Sequence, residues 1–280
     1  MTALLPEHSI EARRTLSIGI IGAGRLGTAL ADALRLAGYT GVRLAARADA
    51  HATVDACALV FLTVPDRAIG EAVEALPWRA GQGVVHTSGA LGLDALDPAA
   101  AWDALRGCLH PLQTFPGATA PQDNAARFRG IVCGVEGGTP LGDLLTAVVA
   151  DLGGRALRLE GVDRALYHAA AVLVSNDVVA LMAAATRTWE QAGLPVRDAR
   201  EALAPLLLAA ASNVARLPLE LALTGPIARG DLSTVQRHLE ALAGDADLSA
   251  TYRALGRELL RLDLSHAPEV SAALAALLRD

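Results

Sequence analysis

Two rhythms of apolar residues divide this chain. Up to about residue 161, short unbroken apolar runs alternate with stretches of helical period, and beyond residue 163 only the helical period remains. The short runs at 18–21, 42–46, 58–64, 83–86, from about 106 to 110 and at 131–135 predict strands. Several are continuous rather than alternating, as in ALVFLTV at 58–64, which fits strands covered on both faces. Between them, Leu26, Leu30, Leu34 and Ala37 recur at helical spacing and Gly38 supplies a stop. Further helices are expected at 67–76 and 141–152, and a trimmed element at 48–56. This alternation predicts an α/β fold with a doubly wound parallel sheet of Rossmann type.

The second half predicts an all-α domain. A long alanine-rich helix is expected at 164–192, ending before Gly193 and Pro195, with apolar residues on several faces that call for burial all round. A second subunit would supply that burial. Further helices are expected at 197–216, after Asp231 as N-cap with Thr234 behind it, at 249–262, and from Pro268. The expected organisation is a flexible N-terminus at 1–15, a nucleotide-binding domain at 16–161 and a helical dimerisation and substrate domain at 162–280.

The first strand runs into Gly22, Gly24 and Gly27 at G-x-G-x-x-G spacing, and the first long helix follows at once. In that context the three glycines permit a tight turn, a close approach of backbone to a pyrophosphate, and close packing of helix on strand. The helix N-terminus then offers free N–H groups to the phosphates. The end of the second strand separates NAD from NADP, since a carboxylate there suits a ribose 2′-hydroxyl and an arginine suits a 2′-phosphate. This strand ends Ala45-Ala46-Arg47, with Asp49 only later, so NADP is the expected cofactor. Arg25 adds a second guanidinium within the glycine loop, beside Leu26. Thr63, Val64 and Pro65, after the third strand, and Thr87, after the fourth, are expected to border the cofactor.

Composition narrows the chemistry. Among 280 residues there is no lysine, and all 24 basic residues are arginine, which excludes a Schiff base, a lysine general base and a P-loop lysine. A net charge of −6 argues against nucleic acid or an anionic membrane as partner. Cys57, Cys108 and Cys133 form no C-x-x-C pair, no metal site is expected, and no run is read as a membrane span. A cytoplasmic protein is expected.

Chemistry-bearing residues cluster at strand ends. Ser88 and His86 follow the fourth strand, and His110 is held extended by Pro111. A histidine there suits proton transfer to the oxygen that changes charge during hydride transfer. From the first helix of the second domain come Tyr167, His168, Ser175 and Asn176, with His168 and Ser175 expected on one face. Arg229, in the turn 224–231, is a candidate for holding a substrate carboxylate. Structural roles, as core hydrogen-bonding groups or as a solvated arginine, stand beside each of these.

The stretches GIIGAGRLG, LVFLTVPD, HTSGAL, GCLHPLQTF, YHAAAVLVSN and GPIARGD, in this order, resemble the bacterial family that joins a Rossmann-like domain to domain of unknown function 2520. The resemblance spans nearly the whole chain. It implies an NADP-dependent oxidoreductase related to pyrroline-5-carboxylate reductase. It also implies a helical domain like that of 6-phosphogluconate dehydrogenase, a homodimer formed through that domain, and an active site near the dimer interface. The segment from His86 through His110 to Phe128 is similar to prephenate dehydrogenases, in which a serine and a His-Pro pair border the substrate hydroxyl. Ser88 and His110 take those positions here, although the lysine that follows the serine is missing. The β-hydroxyacid dehydrogenases place a lysine and an asparagine one turn apart on the first helix of the second domain; here only His168 and Asn176 lie nearby, at another spacing. The expected reaction is hydride transfer between a nicotinamide and a small carboxylate-bearing carbonyl, imine or alcohol, with a non-catalytic NADP-binding dimer or a prephenate-type oxidative decarboxylase as alternatives.

Overall fold

The computed structural model describes residues 9–117 and 120–279. In chain order the first unit contains α1 (Ile10–Arg14), β1 (Ser17–Ile21), α2 (Arg25–Leu36), β2 (Gly41–Ala45), α3 (Ala50–Ala56), β3 (Leu59–Leu62), α4 (Ile69–Glu74), β4 (Gly83–His86), α5 (Asp97–Ala100), β5 (Leu105–Pro111), α6 (Pro121–Ala126), β6 (Val132–Gly137), α7 (Leu141–Asp151), β7 (Arg155–Arg158) and α8 (Arg164–Leu173). The strands form one seven-stranded sheet in the order β2-β1-β3-β4-β5-β6-β7.

Period-two alternation within each apolar run explains the two covered faces. Ile18, Ile20, Leu59 and Phe61 point into one cluster with Leu30 and Leu34 of α2 and Leu145 of α7. Val60, Leu62 and Val84 point into the other, with Val54 of α3 and Ile69 and Val73 of α4. Fully burying each such side chain stabilises the fold by about 1.5–3 kcal/mol. Because α2 and α3 lie on opposite faces, the chain reverses direction at β1 and β3, and a crevice opens beyond their carboxyl ends.

The sheet is mostly, not wholly, parallel. β5 and β6 pair antiparallel, with His110 opposite Gly134, whereas β6 and β7 return to parallel pairing through α7. Among the described residues only the short α6 lies between β5 and β6, and it packs on α2. The chain therefore never crosses back, and β6 starts at the end where β5 stops.

The expected flexible N-terminus needs correcting for residues 9–15, whereas residues 1–8 lie outside the described residues. Ser9 caps α1. Arg13 donates to both carboxylate oxygens of Asp151 at 3.0 and 2.9 Å, and the Tyr39 hydroxyl donates to the same carboxylate at 2.7 Å.

The chain divides after Ser175, not at 161–162, because α8 belongs with the sheet. The second unit contains α9 (Asn176–Gln191), α10 (Val196–Val214), α11 (Leu219–Ala222), α12 (Leu232–Leu242), α13 (Ala246–Leu259) and α14 (Pro268–Leu277). Its buried cluster is small, with Ile227, Val235, Leu239, Leu274 and Leu278 at its centre. The helix expected at 164–192 breaks at Val174–Ser175, where the Ser175 hydroxyl donates to the Ala171 carbonyl at 2.6 Å. His168 and Ser175 therefore do not share a continuous helical face. Within the single chain neither α8 nor α9 holds a buried residue. By length and composition alone the stretch Arg164–Gln191 is apolar enough to cross a membrane, which corrects the expectation that no run approaches a span.

Candidate functional site

The glycine turn after β1 has the shape the sequence requires. Gly22 sits at φ +114°, and a Cβ there would stand 2.9 Å from the Thr63 backbone. A Cβ on Gly27 would stand 2.0 Å from the Gly22 carbonyl oxygen, so α2 presses on the turn with no room for a side chain. Thr63 closes this contact, its hydroxyl lying 2.8 Å from the Gly22 carbonyl and 3.1 Å from that of Ile21. Gly24 differs: it is the N-cap of α2, makes no side-chain cap bond, and a Cβ there would meet nothing within 4 Å. The turn is thus tight where backbone meets backbone and open where the helix N-terminus faces outward.

Beside it lies a cavity of about 320 Å³, bordered by Gly22 after β1, Arg47 after β2, Val64 after β3, and His51 and Glu71 from α3 and α4. That volume is at the lower end of small-molecule sites. Arg47 is exposed and donates to Glu71 Oε1 at 2.7 Å. An open helix N-terminus beside a cavity bearing an arginine fits the phosphates and adenosine of a dinucleotide. Leu26 packs against the core. The stem of Arg25 lies against Gly117. Pro65 begins a short 3-10 turn. The buried Thr87 hydroxyl donates to the Leu62 carbonyl at 3.2 Å, tying the ends of two strands together.

A second polar centre lies at the ends of β4, β5 and β6. His110 Nδ1 and the Tyr167 hydroxyl are 2.9 Å apart. The His168 ring stands edge-on to His110 with centroids 6.1 Å apart. Two glycines make room for these rings. A Cβ on Gly89 would come within 2.7 Å of both histidines, and one on Gly134 within 2.7 Å of the Tyr167 hydroxyl. Burial first, then the nearby His168 and Arg164, pull His110 from 6.5 down to about 4. Burial likewise pushes Tyr167 up to about 12. At neutral pH both groups are uncharged.

Arg164, the first residue of α8, fixes that helix over the strand ends. Its Nη2 donates to the Ser88 carbonyl at 2.9 Å and to Cys108 Sγ at 3.0 Å, and its Nη1 lies 3.4 Å from Glu136 Oε2. Its guanidinium carbon stands 5.7 Å from the Tyr167 ring centroid. Burial pushes the Cys108 thiol up to about 11, so it stays protonated. His86 is buried behind this layer and pulled down to about 4, mainly by burial.

Ser88 is placed for structure. Its hydroxyl donates to Asp66 Oδ2 at 2.7 Å and accepts from the Ala90 and Leu91 amides at 3.1 Å each. One donor and two lone pairs are then in use, leaving nothing for a substrate. Ser88, His110 and His168 are thus close, but only the two histidines, with Tyr167, present reactive groups. Arg229 belongs to the second unit and is exposed on the turn before α12. Asp231 ends that turn, accepting from the Thr234 amide at 3.1 Å, and hydrogen bonds from Thr234 and Ser233 draw its carboxyl down to about 2. The sequence signal missed Gly89, Gly134, Arg164, His51 and Glu71; a glycine at a strand end paired with a histidine was the available clue for the first two.

Two domain families match the chain: a Rossmann-like domain over residues 5–111 and domain of unknown function DUF2520 over residues 131–259. No curated protein matches it. Among solved structures, a Bacteroides fragilis protein described as a candidate NADP oxidoreductase is 24% identical, with a TM-score of 0.67, over 88% of this chain and 98% of its own. A Thermotoga maritima protein is 23% identical, with a TM-score of 0.66, over 91% and 98%. A reductive aminase from Aspergillus terreus in complex with NADPH and ethyl-5-oxohexanoate is 18% identical, with a TM-score of 0.63, over 95% and 100%. At these identities the likeness establishes a shared fold: a Rossmann-like sheet followed by helices.

Proposed function

We propose that this chain, a Rossmann-like domain joined to a domain of unknown function DUF2520, is an NADP-dependent oxidoreductase acting on a small carboxylate-bearing carbonyl, imine or alcohol. The observation that carries the proposal is the neutral His110–Tyr167 pair, with His110 on the same sheet that carries the open glycine turn. When bound, the nicotinamide would supply or accept the hydride. Gly22, Gly24 and the N-terminus of α2 would hold the pyrophosphate, and Arg47 the 2′-phosphate.

The protein's own part is proton transfer. As His110 Nε2 gives its proton to the substrate nitrogen or oxygen, Nδ1 takes the phenolic proton of Tyr167. The ring ends neutral and the negative charge rests on the phenolate, near the guanidinium of Arg164. In the oxidative direction the proton travels back along the same path. His168 stands edge-on beside His110, and Arg229 is proposed to hold the substrate carboxylate. Positioned proton transfer of this kind contributes about 10²–10⁴-fold to rate.

Homodimerisation through the helices is part of the same proposal. Its support is the exposure of Leu166, Val174, Val179, Leu206 and Leu208, each with about 70% of its surface open in the single chain. The three cysteines are unpaired and buried, which supports a reducing, cytoplasmic setting. The test is NADPH oxidation against a panel of keto acids, cyclic imines and ketone–amine mixtures. Turnover that falls at least about 100-fold in His110→Asn, with NADPH binding unchanged, supports the proposal. Turnover untouched by that change removes it.

A further inference from the structure

Arg47 does not stand alone in the adenosine-side cavity. Glu71, one helix away on α4, reaches across and accepts a hydrogen bond from its Nη2 at 2.7 Å, and both side chains border the same cavity. Both are largely exposed, at 92% and 68% of their side-chain surface. A pair in that setting contributes little to stability, at most about 1 kcal/mol, so the fold does not depend on it. The remaining wall is mostly alanine and aliphatic, with His51 as a further polar group.

We infer that Glu71 is the specificity-determining residue of this cavity: it competes with a cofactor 2′-phosphate for Arg47 and offers a 2′-hydroxyl an acceptor. The inference rests on the dinucleotide reading of the site. A phosphate monoester carries about −1.5 to −2 charge near neutral pH. At Arg47 it must share the guanidinium with the carboxylate and lie beside that like charge. A 2′-hydroxyl meets the opposite situation, since a carboxylate is the acceptor that such a hydroxyl uses in NAD-binding sheets. That acceptor normally stands at the tip of the second strand. Here the tip carries Arg47, and the acid comes from α4 instead. The site thus holds both determinants in one ion pair. Its preference is a balance between them, which Arg47 alone would overstate.

The experiment is equilibrium binding of NADPH and NADH to the full-length protein and to Glu71→Gln, with Arg47→Ala and the double variant completing a cycle. The exposed position of Glu71 keeps the variant folded, which a melting curve checks. The expected result is NADPH bound about three- to tenfold more tightly by Glu71→Gln, and NADH bound less tightly. The NADPH gain should vanish when Arg47 is already alanine. NADPH and NADH affinities unchanged by Glu71→Gln, in a protein that binds NADPH, overturn the inference and leave the dinucleotide reading standing. Failure of the wild-type protein to bind either nucleotide overturns both.

Discussion

The imidazole of His110 and the phenol of Tyr167 meet at 2.9 Å, across a gap that exists because the residue opposite His110 in the sheet is Gly134. The pairing joins a strand-end histidine to the first turns of a helix more than fifty residues away. It leaves Nδ1 engaged and Nε2 as the ring nitrogen for chemistry.

Removing the phenol should therefore damage the proton step and not cofactor binding. Tyr167→Phe is expected to lower kcat by about tenfold to a hundredfold, with NADPH affinity unchanged. Steady-state kinetics beside a binding isotherm separate the two; a loss confined to NADPH affinity would place Tyr167 outside the proton path.

Two histidines held neutral make stability depend on acid in a fixed direction. His86 and His110 are both lowered from 6.5 to about 4, chiefly by burial. Between those values the unfolded chain binds protons that the folded chain does not. The contribution is therefore complete above about pH 6.5 and is lost as pH falls from 6.5 towards 4. Denaturant titrations at pH 7.5 and 5 should differ by on the order of 4 kcal/mol, about 2 from each ring, and His86→Asn should narrow the difference. Equal stability at the two values would mean that both rings reach solvent.

The glycines of the turn should separate folding from binding. Gly27→Ala puts a methyl group against the Gly22 carbonyl and should lower stability by roughly 3 kcal/mol or more. Gly24→Ala meets no atom of the protein and should leave the melting temperature within a few degrees of wild type while weakening NADPH binding. The reverse pattern would mean that the open side of the turn is not where phosphates bind.

Much of this was legible in the chain itself. The run IGIIGAGRLG has both its apolar strand and its turn encoded locally, so β1, the turn and α2 were found with their ends within a residue or so. His110 and His168 were also legible as polar residues in apolar surroundings. The antiparallel turn into β6 was not, because the deciding feature is that no crossover helix lies among the described residues of 112–131, and a six-residue helix has little periodicity. The break at Val174–Ser175 was hidden by alanine-rich flanks that keep helical spacing on both sides. Glu71 and Arg47 lie 24 residues apart on different elements, and only the folded sheet brings them together.

Ser88 gives a direct contrast between sequence and structure. Its resemblance to the serine of prephenate dehydrogenases implies a place beside the substrate hydroxyl, yet its own hydroxyl is fully used by Asp66 and two amides. Ser88→Ala should lower stability by roughly 1–3 kcal/mol and leave KM for the substrate within about twofold. A large rise in KM in a protein of unchanged stability would restore the substrate-orienting role.

The central claim is that the turn after β1 and the arginine after β2 bind NADP, and its most direct measurement is the affinity of the purified protein for NADPH and NADH side by side with Arg47→Ala. Tighter binding of NADPH, falling by about tenfold to a hundredfold in the variant while NADH is little changed, is the expected result. No binding of either nucleotide, or NADPH affinity indifferent to Arg47, would contradict the account.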